Sequence, residues 1–289
     1  MWGQPPVVAQ EITELNDMPE LPEVETIKRD LETEIVGLCF TGATLHWPKM
    51  LQNLTPEAFT RRLISQCIEG IKRRGKYLIF QLSNGDALIL HLRMSGSLRM
   101  DPACSDDPYI RAVFCFDNGA KLYFRDPRKF GMIWLVEDAE LVVGKLGPEP
   151  LDPAFTAKGL QSILKKHTAP IKAVLCDQTV IAGVGNMYAD EALFEARIHP
   201  ERKANSLSQD EIRRLHHAIS EVLKKAIEKG GASISDYRRP DGKSGEAQFV
   251  FKVAHQLGKK CDRCNTAIER IPIHKRGSYF CPKCQKKIN

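Results

Sequence analysis

Four cysteines near the C-terminus have the spacing of a metal site: Cys261-x-x-Cys264, sixteen residues, then Cys281-x-x-Cys284. Each Cys-x-x-Cys knuckle turns two thiolates toward one point, and two knuckles complete a tetrahedron around Zn²⁺. Four thiolates leave no open coordination position, so the chemistry implied is one structural Zn²⁺ that holds a fold. The alternative is two disulfides, which a cytosolic chain disfavours. Between the knuckles, Ile271, Ile273, Tyr279 and Phe280 alternate as in a hairpin, with its turn at Gly277. So short a segment has little apolar area to bury, and metal binding would supply most of its folding free energy. The other cysteines (Cys39, Cys67, Cys104, Cys115, Cys176) show no pairing pattern and read as reduced core or surface thiols.

The charge around this site points to a polyanion. From Lys259 to Asn289 nine basic residues face two acidic ones, a net +7, whereas the whole chain carries +6 and the remainder sums to −1. Two further segments could do chemistry. Gly183 and Gly185 precede Asn186, where a helix restarts; exposed amides there can hold a phosphate, although a plain interhelical turn has the same signature. Lys76 ends the run Lys72-Arg73-Arg74-Gly75-Lys76, which alone reads as a solvated charge cluster.

The elements that must position these residues follow from periodicity. Val24, Ile27 and Leu31 share a face of a helix over Pro22–Glu34, with Glu23 and Glu25 in its first turn. Tyr77–Leu82 and Ala87–Leu92 flank Asn84-Gly85, and Arg111–Phe116 and Lys121–Phe124 flank Asn118-Gly119. Two such hairpins argue for an antiparallel sandwich or barrel. Lys145-Leu146-Gly147-Pro148-Glu149-Pro150 reads as a linker. After it a capping box, Ser208 and Glu211, opens a helix carrying Ile212, Leu215, Ile219, Val222, Leu223 and Ile227 and stopping at Gly230. The fold class is therefore α+β: a β-rich domain with a leading helix, a helical domain and a zinc hairpin. At 289 residues the chain exceeds one comfortable core. It holds no run of eighteen apolar residues. Met1-Trp2-Gly3-Gln4-Pro5-Pro6 lacks the pattern of a secretory signal, so the expected place is the cytosol or nucleoid.

Together Pro19-Glu20-Leu21-Pro22-Glu23-Val24-Glu25-Thr26, Arg74-Gly75-Lys76-Tyr77, His91-Leu92-Arg93-Met94-Ser95-Gly96, Asp126-Pro127-Arg128-Lys129-Phe130-Gly131, Leu146-Gly147-Pro148-Glu149-Pro150-Leu151, Ala182-Gly183-Val184-Gly185-Asn186 and the zinc ribbon recur in a fixed order. In this the chain resembles the formamidopyrimidine-DNA glycosylases, bacterial base-excision enzymes for oxidised purines, from Met18 to the C-terminus. The resemblance implies an N-terminal β-sandwich domain (18–148), a helix–two-turn–helix domain with a lesion-capping loop (149–252, the loop from Tyr237 to Gln248) and a zinc ribbon (253–289). It also implies a monomer acting on double-stranded DNA that carries oxidised bases or abasic sites, with no membrane partner.

By that resemblance Pro19 is the nucleophile. A lysine amine with pKa about 10.4 is mostly protonated near neutrality, whereas an α-amine near 8 is much less so. Glu20 is the implied general acid/base for sugar ring opening. Lys76 would contact the backbone phosphate and support β-elimination, and Arg276 would grip phosphates around the lesion and help δ-elimination. Met94, Arg128 and Phe130 match residues that fill the gap left by a flipped nucleotide. Asn186 is implied as a DNA contact, and a phosphate contact before Ile171 falls on Lys166 or His167. Tyr109 stands where the family often has a histidine, and Ala254-His255-Gln256 replaces its Tyr-Gly-Arg/Lys pattern. Leu21 favours the purine branch over the sister branch for oxidised pyrimidines, which typically has Gly there. Seventeen residues precede Met18, and with them Pro19 is an amide. The expectation is that translation starts at Met18 or that the leader is removed; a retained leader would leave a non-catalytic zinc-ribbon DNA binder.

Overall fold

The computed structural model describes residues 18–234 and 237–287, so the leader 1–17 lies outside the described residues. Helix α1 (Leu21–Ile35) is the first element among the described residues, bounded by a capping box in which the Glu20 N–H donates to Glu23 Oε2. After β1 (Phe40–Leu45) and α2 (Pro56–Leu63) come β2 (Ile68–Arg74), β3 (Tyr77–Leu82), β4 (Ala87–His91), β5 (Ser97–Arg99), β6 (Ile110–Phe116), β7 (Lys121–Arg125) and β8 (Met132–Val136). These strands form two antiparallel four-stranded sheets, ordered β1-β6-β7-β5 and β2-β3-β4-β8. Along β6 every second residue is buried, as one-faced packing requires, whereas all five residues of β4 are buried in the middle of its sheet. Leu78, Phe80, Leu90, Phe114 and Phe124 pack with the Val24–Ile27–Leu31 face of α1 in one core.

Past a short α3 (Glu140–Val143), helices α4 (Ala157–Leu164), α5 (Ile171–Leu175), α6 (Asn186–Ala196) and α7 (Gln209–Glu228) build a second core. The Ser208–Glu211 capping box starts α7 as its sequence requires. Leu21 packs into this second core although it belongs to α1, while Tyr237 packs into the first. The two cores are thus stitched together where α1 begins. The final hairpin, β9 (Glu269–Ile273) and β10 (Arg276–Phe280), packs its cysteines against Phe194 of α6.

Three expectations are corrected. The hairpin turn is His274–Lys275, both at positive φ (45° and 64°), and Gly277 lies inside β10 opposite Pro272. Both central residues of such a two-residue turn need positive φ, which suits the right-handed twist of the strands more than glycine at the next position does. Second, Cys39 and Cys67 are not free thiols: a disulfide joins them, because the ends of β1 and β2 lie side by side. Third, Arg73 and Arg74 are not a solvated cluster. Arg73 bridges Glu25 and Glu149, and Arg74 bonds Glu149 and the carbonyls of Leu146 and Gly147. The supposed linker is therefore clamped to the β2–β3 turn.

Candidate active site

The start of α1 is pinned from two sides. The Leu21 N–H donates to Gly183 O (3.0 Å), and Glu20 Oε1 accepts the Met187 N–H (3.0 Å) at the first turn of α6. The Glu20 carboxyl lies flat on Gly185, where an added Cβ would come 2.2 Å from its carboxyl carbon. Glu20 Oε2 is buried with no hydrogen-bond partner among the described residues. Burial raises the Glu20 pKa above the usual carboxylate value, opposed by the charges of Lys76 and Lys172 and by the Met187 and Gly185 amides. A carboxyl poised this way, with one free oxygen, is suited to exchange a proton.

Glu23 accepts from the Glu20 N–H, the Tyr188 hydroxyl and the Ala232 N–H, and burial with the nearby Glu20 pushes it up to about 7. It fastens α1 both to α6 and to the root of the 232–248 loop. Its sequence reading was only that of a dipole-compensating residue; the signal missed was a Glu-x-x-Glu capping box at Glu20. Within that loop Tyr237 is buried, Arg239 forms a bidentate pair with Asp30 of α1, and Pro240 O accepts the Met100 N–H.

The two-glycine turn folds inward rather than offering its amides outward. Gly183 N–H donates to Gln178 Oε1, Gln178 Nε2 donates to Val184 O, and the Gly185 and Met187 amides serve Glu20. The expected amide cradle for phosphate is thus a cradle for the Glu20 carboxyl, since the positive end of α6 compensates it directly. Asn186 Nδ2 donates to Gly277 O (3.1 Å), tying α6 to the ribbon, and its buried Oδ1 has no partner among the described residues. Lys172 donates to Asn186 O (2.7 Å) and pairs with Asp190, both ions fully buried; burial raises Asp190 to about 6 against the pull of Lys172.

These residues meet in one cleft of 810 Å³ between the sandwich, the two-glycine turn and the ribbon. Glu20, Lys76, Met94, Phe130, Asn186 and Arg276 all line it, as does Met18. Lys76 is buried just past the β2–β3 turn, which Gly75 makes at φ 55°. Arg276 opens β10 and reaches the cleft from the ribbon. Pro19 is buried and does not line this cleft; it lines a second, small cavity together with Met18, Glu23, Met187 and Tyr237. Phe130 is exposed at the tip of a braced loop: Asp126 accepts the Ser95 hydroxyl and the Gly131 N–H, and the Arg128 guanidinium lies 5.0 Å from the Phe130 ring. Tyr109, Arg128, Lys166 and His167 do not line the cleft. Tyr109 sits beside the Phe130 loop, with its carbonyl accepting the Asp126 N–H, and Lys166 and His167 follow α4.

His91 lines the cleft unforeseen. Its Nδ1 accepts the Arg93 N–H (3.0 Å), which leaves the ring proton on Nε2. Burial, with Arg93 and Lys76 nearby, pushes its pKa down to about 3, so it is a neutral donor at every physiological pH. The signal was present in the buried end of β4, where a polar residue closes an apolar strand.

The four cysteine sulfurs of the ribbon lie within 4.8 Å of one another, a set that fits one tetrahedral Zn²⁺. The cage is braced on α6: Arg263 donates to Phe194 O, and Gln285 joins Cys281 N to Ile198 O. Glu191 accepts three amides, from Lys252, Val253 and Ala254, where the chain enters the ribbon.

The close fit at Gly185 gives a first expected outcome. Gly185→Ala must displace Glu20, because its Cβ falls on the carboxyl itself. Overpacking of this kind costs about 1–3 kcal/mol, and misplacement near an angstrom lowers activity about 10²-fold. Thermal melting and single-turnover kinetics measure both.

Fold and site together define a zinc-ribbon, helix–two-turn–helix protein with a carboxylate-centred cleft. The model of the formamidopyrimidine-DNA glycosylase N-terminal domain matches residues 18–133, that of the H2TH domain residues 146–238, and that of the zinc finger found in FPG and IleRS residues 258–287. The chain is 42% identical over 276 residues to the formamidopyrimidine-DNA glycosylase of Protochlamydia amoebophila, covering 93% of this chain and all of the relative. It is 44% identical over 275 residues to that of Herpetosiphon aurantiacus, with the same coverage. The solved MutM (Fpg) protein of Thermus thermophilus superposes with a TM-score of 0.86 at 41% identity, over 94% of this chain and 100% of that one. A Lactococcus lactis Fpg mutant in complex with Fapy-dG containing DNA superposes at 0.87 with 39% identity, over 93% and 100%. The chain belongs to the formamidopyrimidine-DNA glycosylase family. It holds one structural zinc, and no helix among the described residues is long and apolar enough to cross a membrane.

Proposed function

We propose that this chain is a bifunctional DNA glycosylase and AP lyase of base-excision repair. It excises oxidised purines such as 8-oxoguanine and formamidopyrimidines from double-stranded DNA at the nucleoid. The observation that carries the reading is a buried Glu20 oxygen without a hydrogen-bond partner among the described residues, on a residue that lines one cleft with Lys76 and Arg276 from other parts of the chain.

In this reading the lesion nucleotide leaves the stack and enters the cleft, while Met94, Arg128 and Phe130 hold the gap. The Pro19 nitrogen attacks C1′ of the sugar as the bond to the base breaks. Glu20 passes its proton toward the ring oxygen, the sugar opens, and an iminium joins Pro19 to C1′. Loss of the C2′ proton then expels the 3′ phosphate, and a second elimination expels the 5′ phosphate. Lys76 and Arg276 hold the phosphates through these steps. The zinc takes no part; it fixes the hairpin that presents Arg276. Tyr109, Asn186 and one of Lys166 and His167 extend the contact along the duplex.

The reading requires a free amine at Pro19. Met18 lines the same cleft, so its removal both liberates the nitrogen and clears space for the sugar. Protein that begins at Pro19 is expected to nick an 8-oxoguanine duplex, and Pro19→Gly is expected to reduce imine trapping strongly while duplex affinity stays roughly intact. Tight binding without nicking by the Pro19-initiated protein would leave only the non-catalytic binder.

A further inference from the structure

The two sheets of the sandwich meet at one edge, where Cys39 leads into β1 and Cys67 into β2. Main-chain bonds bracket the pair: Phe40 N–H to Gln66 O (2.9 Å) and Ile68 N–H to Leu38 O (3.0 Å). The amides of the cysteines themselves turn outward, Cys39 N–H to Asp117 Oδ1 and Cys67 N–H to Ser83 Oγ. This is the close, non-hydrogen-bonded kind of antiparallel pair, in which facing side chains come nearest. The two Cα atoms are 3.8 Å apart. The backbone therefore holds the sulfurs opposite each other whether or not they are bonded. Both residues are half-buried, whereas Cys104 and Cys176 are buried thiols without a neighbouring cysteine partner.

We propose that Cys39 and Cys67 form a reversible dithiol–disulfide site, opened by low-molecular-weight thiols and closed by their disulfides. To open it, a small thiolate attacks one sulfur, the S–S bond breaks, and the released cysteine thiolate takes a proton. A second small thiol then displaces the first from the mixed disulfide. The pair gains two electrons and two protons, and one small-molecule disulfide leaves. Closure is the same sequence reversed, with the small disulfide as oxidant.

The bond encloses β1 and α2 between cysteines 28 residues apart, so it constrains the unfolded chain. It also joins the two sheets beside the far end of α1, where Gly37 N–H meets Ile68 O. No residue lining the cleft belongs to it. Its state therefore sets the lifetime of the sandwich under oxidising conditions and leaves the chemistry of the cleft alone.

The test uses the full, zinc-loaded protein equilibrated with oxidised glutathione or with dithiothreitol, then denatured, alkylated with iodoacetamide and mapped by peptide mass. After oxidised glutathione, the Cys39 and Cys67 peptides are expected to be linked and unalkylated; after dithiothreitol both carry the label. The melting temperature is expected to fall by about 5–10 °C on reduction, a fall absent from the Cys39→Ser/Cys67→Ser variant, which keeps its ribbon. Alkylation of both cysteines after oxidised glutathione would overturn the proposal, as would a melting shift equal in wild type and variant. Should the variant fail to fold, the peptide map of the wild type decides. Nicking of a lesion duplex, read on both redox forms, reports on the repair reading separately.

Discussion

Replacing Glu20 with glutamine is expected to lower single-turnover nicking of an 8-oxoguanine duplex by about 10²–10⁴-fold, the range for loss of a positioned acid/base. The amide oxygen can still accept the Met187 N–H, and the side chain still fits over Gly185, so the fold and the duplex affinity should change little. What disappears is the carboxyl proton, which burial makes harder to lose than in an ordinary carboxyl, against the pull of Lys76. Glu20 Oε2 has no hydrogen-bond partner to lose among the described residues. A purely structural Glu20 would give the opposite pattern, with lowered melting temperature and nearly unchanged nicking rate per folded molecule. Nicking within a few-fold of wild type by Glu20→Gln would remove Glu20 from the chemistry.

The second large effect concerns the metal. Cys261→Ala, or stripping the zinc with a chelator, is expected to unfold the β9–β10 hairpin and leave the other two cores folded. Apart from the cysteines, the ribbon's own core contributes little beyond Val253, Ile268 and the Phe194 of α6. Structural zinc supplies about 10–16 kcal/mol in small zinc-finger peptides, far more than so small a cluster offers. Loss of the hairpin withdraws Arg276 from the cleft, frees Asn186 from Gly277 and dissolves the surface that carries the basic tail. Duplex affinity should fall at least about 10²-fold, and its dependence on salt should become shallower as phosphate contacts are lost. Fluorescence anisotropy over a salt series measures both. Normal binding by the Cys261→Ala protein would show that the ribbon is not part of the DNA surface.

Local pattern made much of this molecule legible. The helical stripe from Val24 to Leu31, the two Asn-Gly turns, the Ser208–Glu211 capping box and the paired Cys-x-x-Cys knuckles each encode their own element. What stayed hidden depends on residues far apart in sequence. Cys39 and Cys67 become neighbours only when β1 and β2 are laid edge to edge. Arg73 and Arg74 looked like a solvated run because their partner, Glu149, lies 76 and 75 residues away. The turn after Gly183 looked open because Glu20, which fills it, is 167 residues from Met187. His91 ends an apolar strand, and its role follows only from the cleft around it. The ribbon turn is hidden because glycine is the usual marker of a left-handed backbone, whereas here His274 and Lys275 adopt it.

In the proposed chemistry the nitrogen of Pro19 forms the covalent bond to the sugar. Borohydride trapping with an 8-oxoguanine duplex, followed by peptide mapping of the adduct, addresses it directly. Two proteins are compared, one beginning at Pro19 and one beginning at Met1 with the leader retained. A stable adduct is expected on the Pro19 peptide of the first protein and none on the second. An adduct on Lys76, or equal trapping by both proteins, would contradict it.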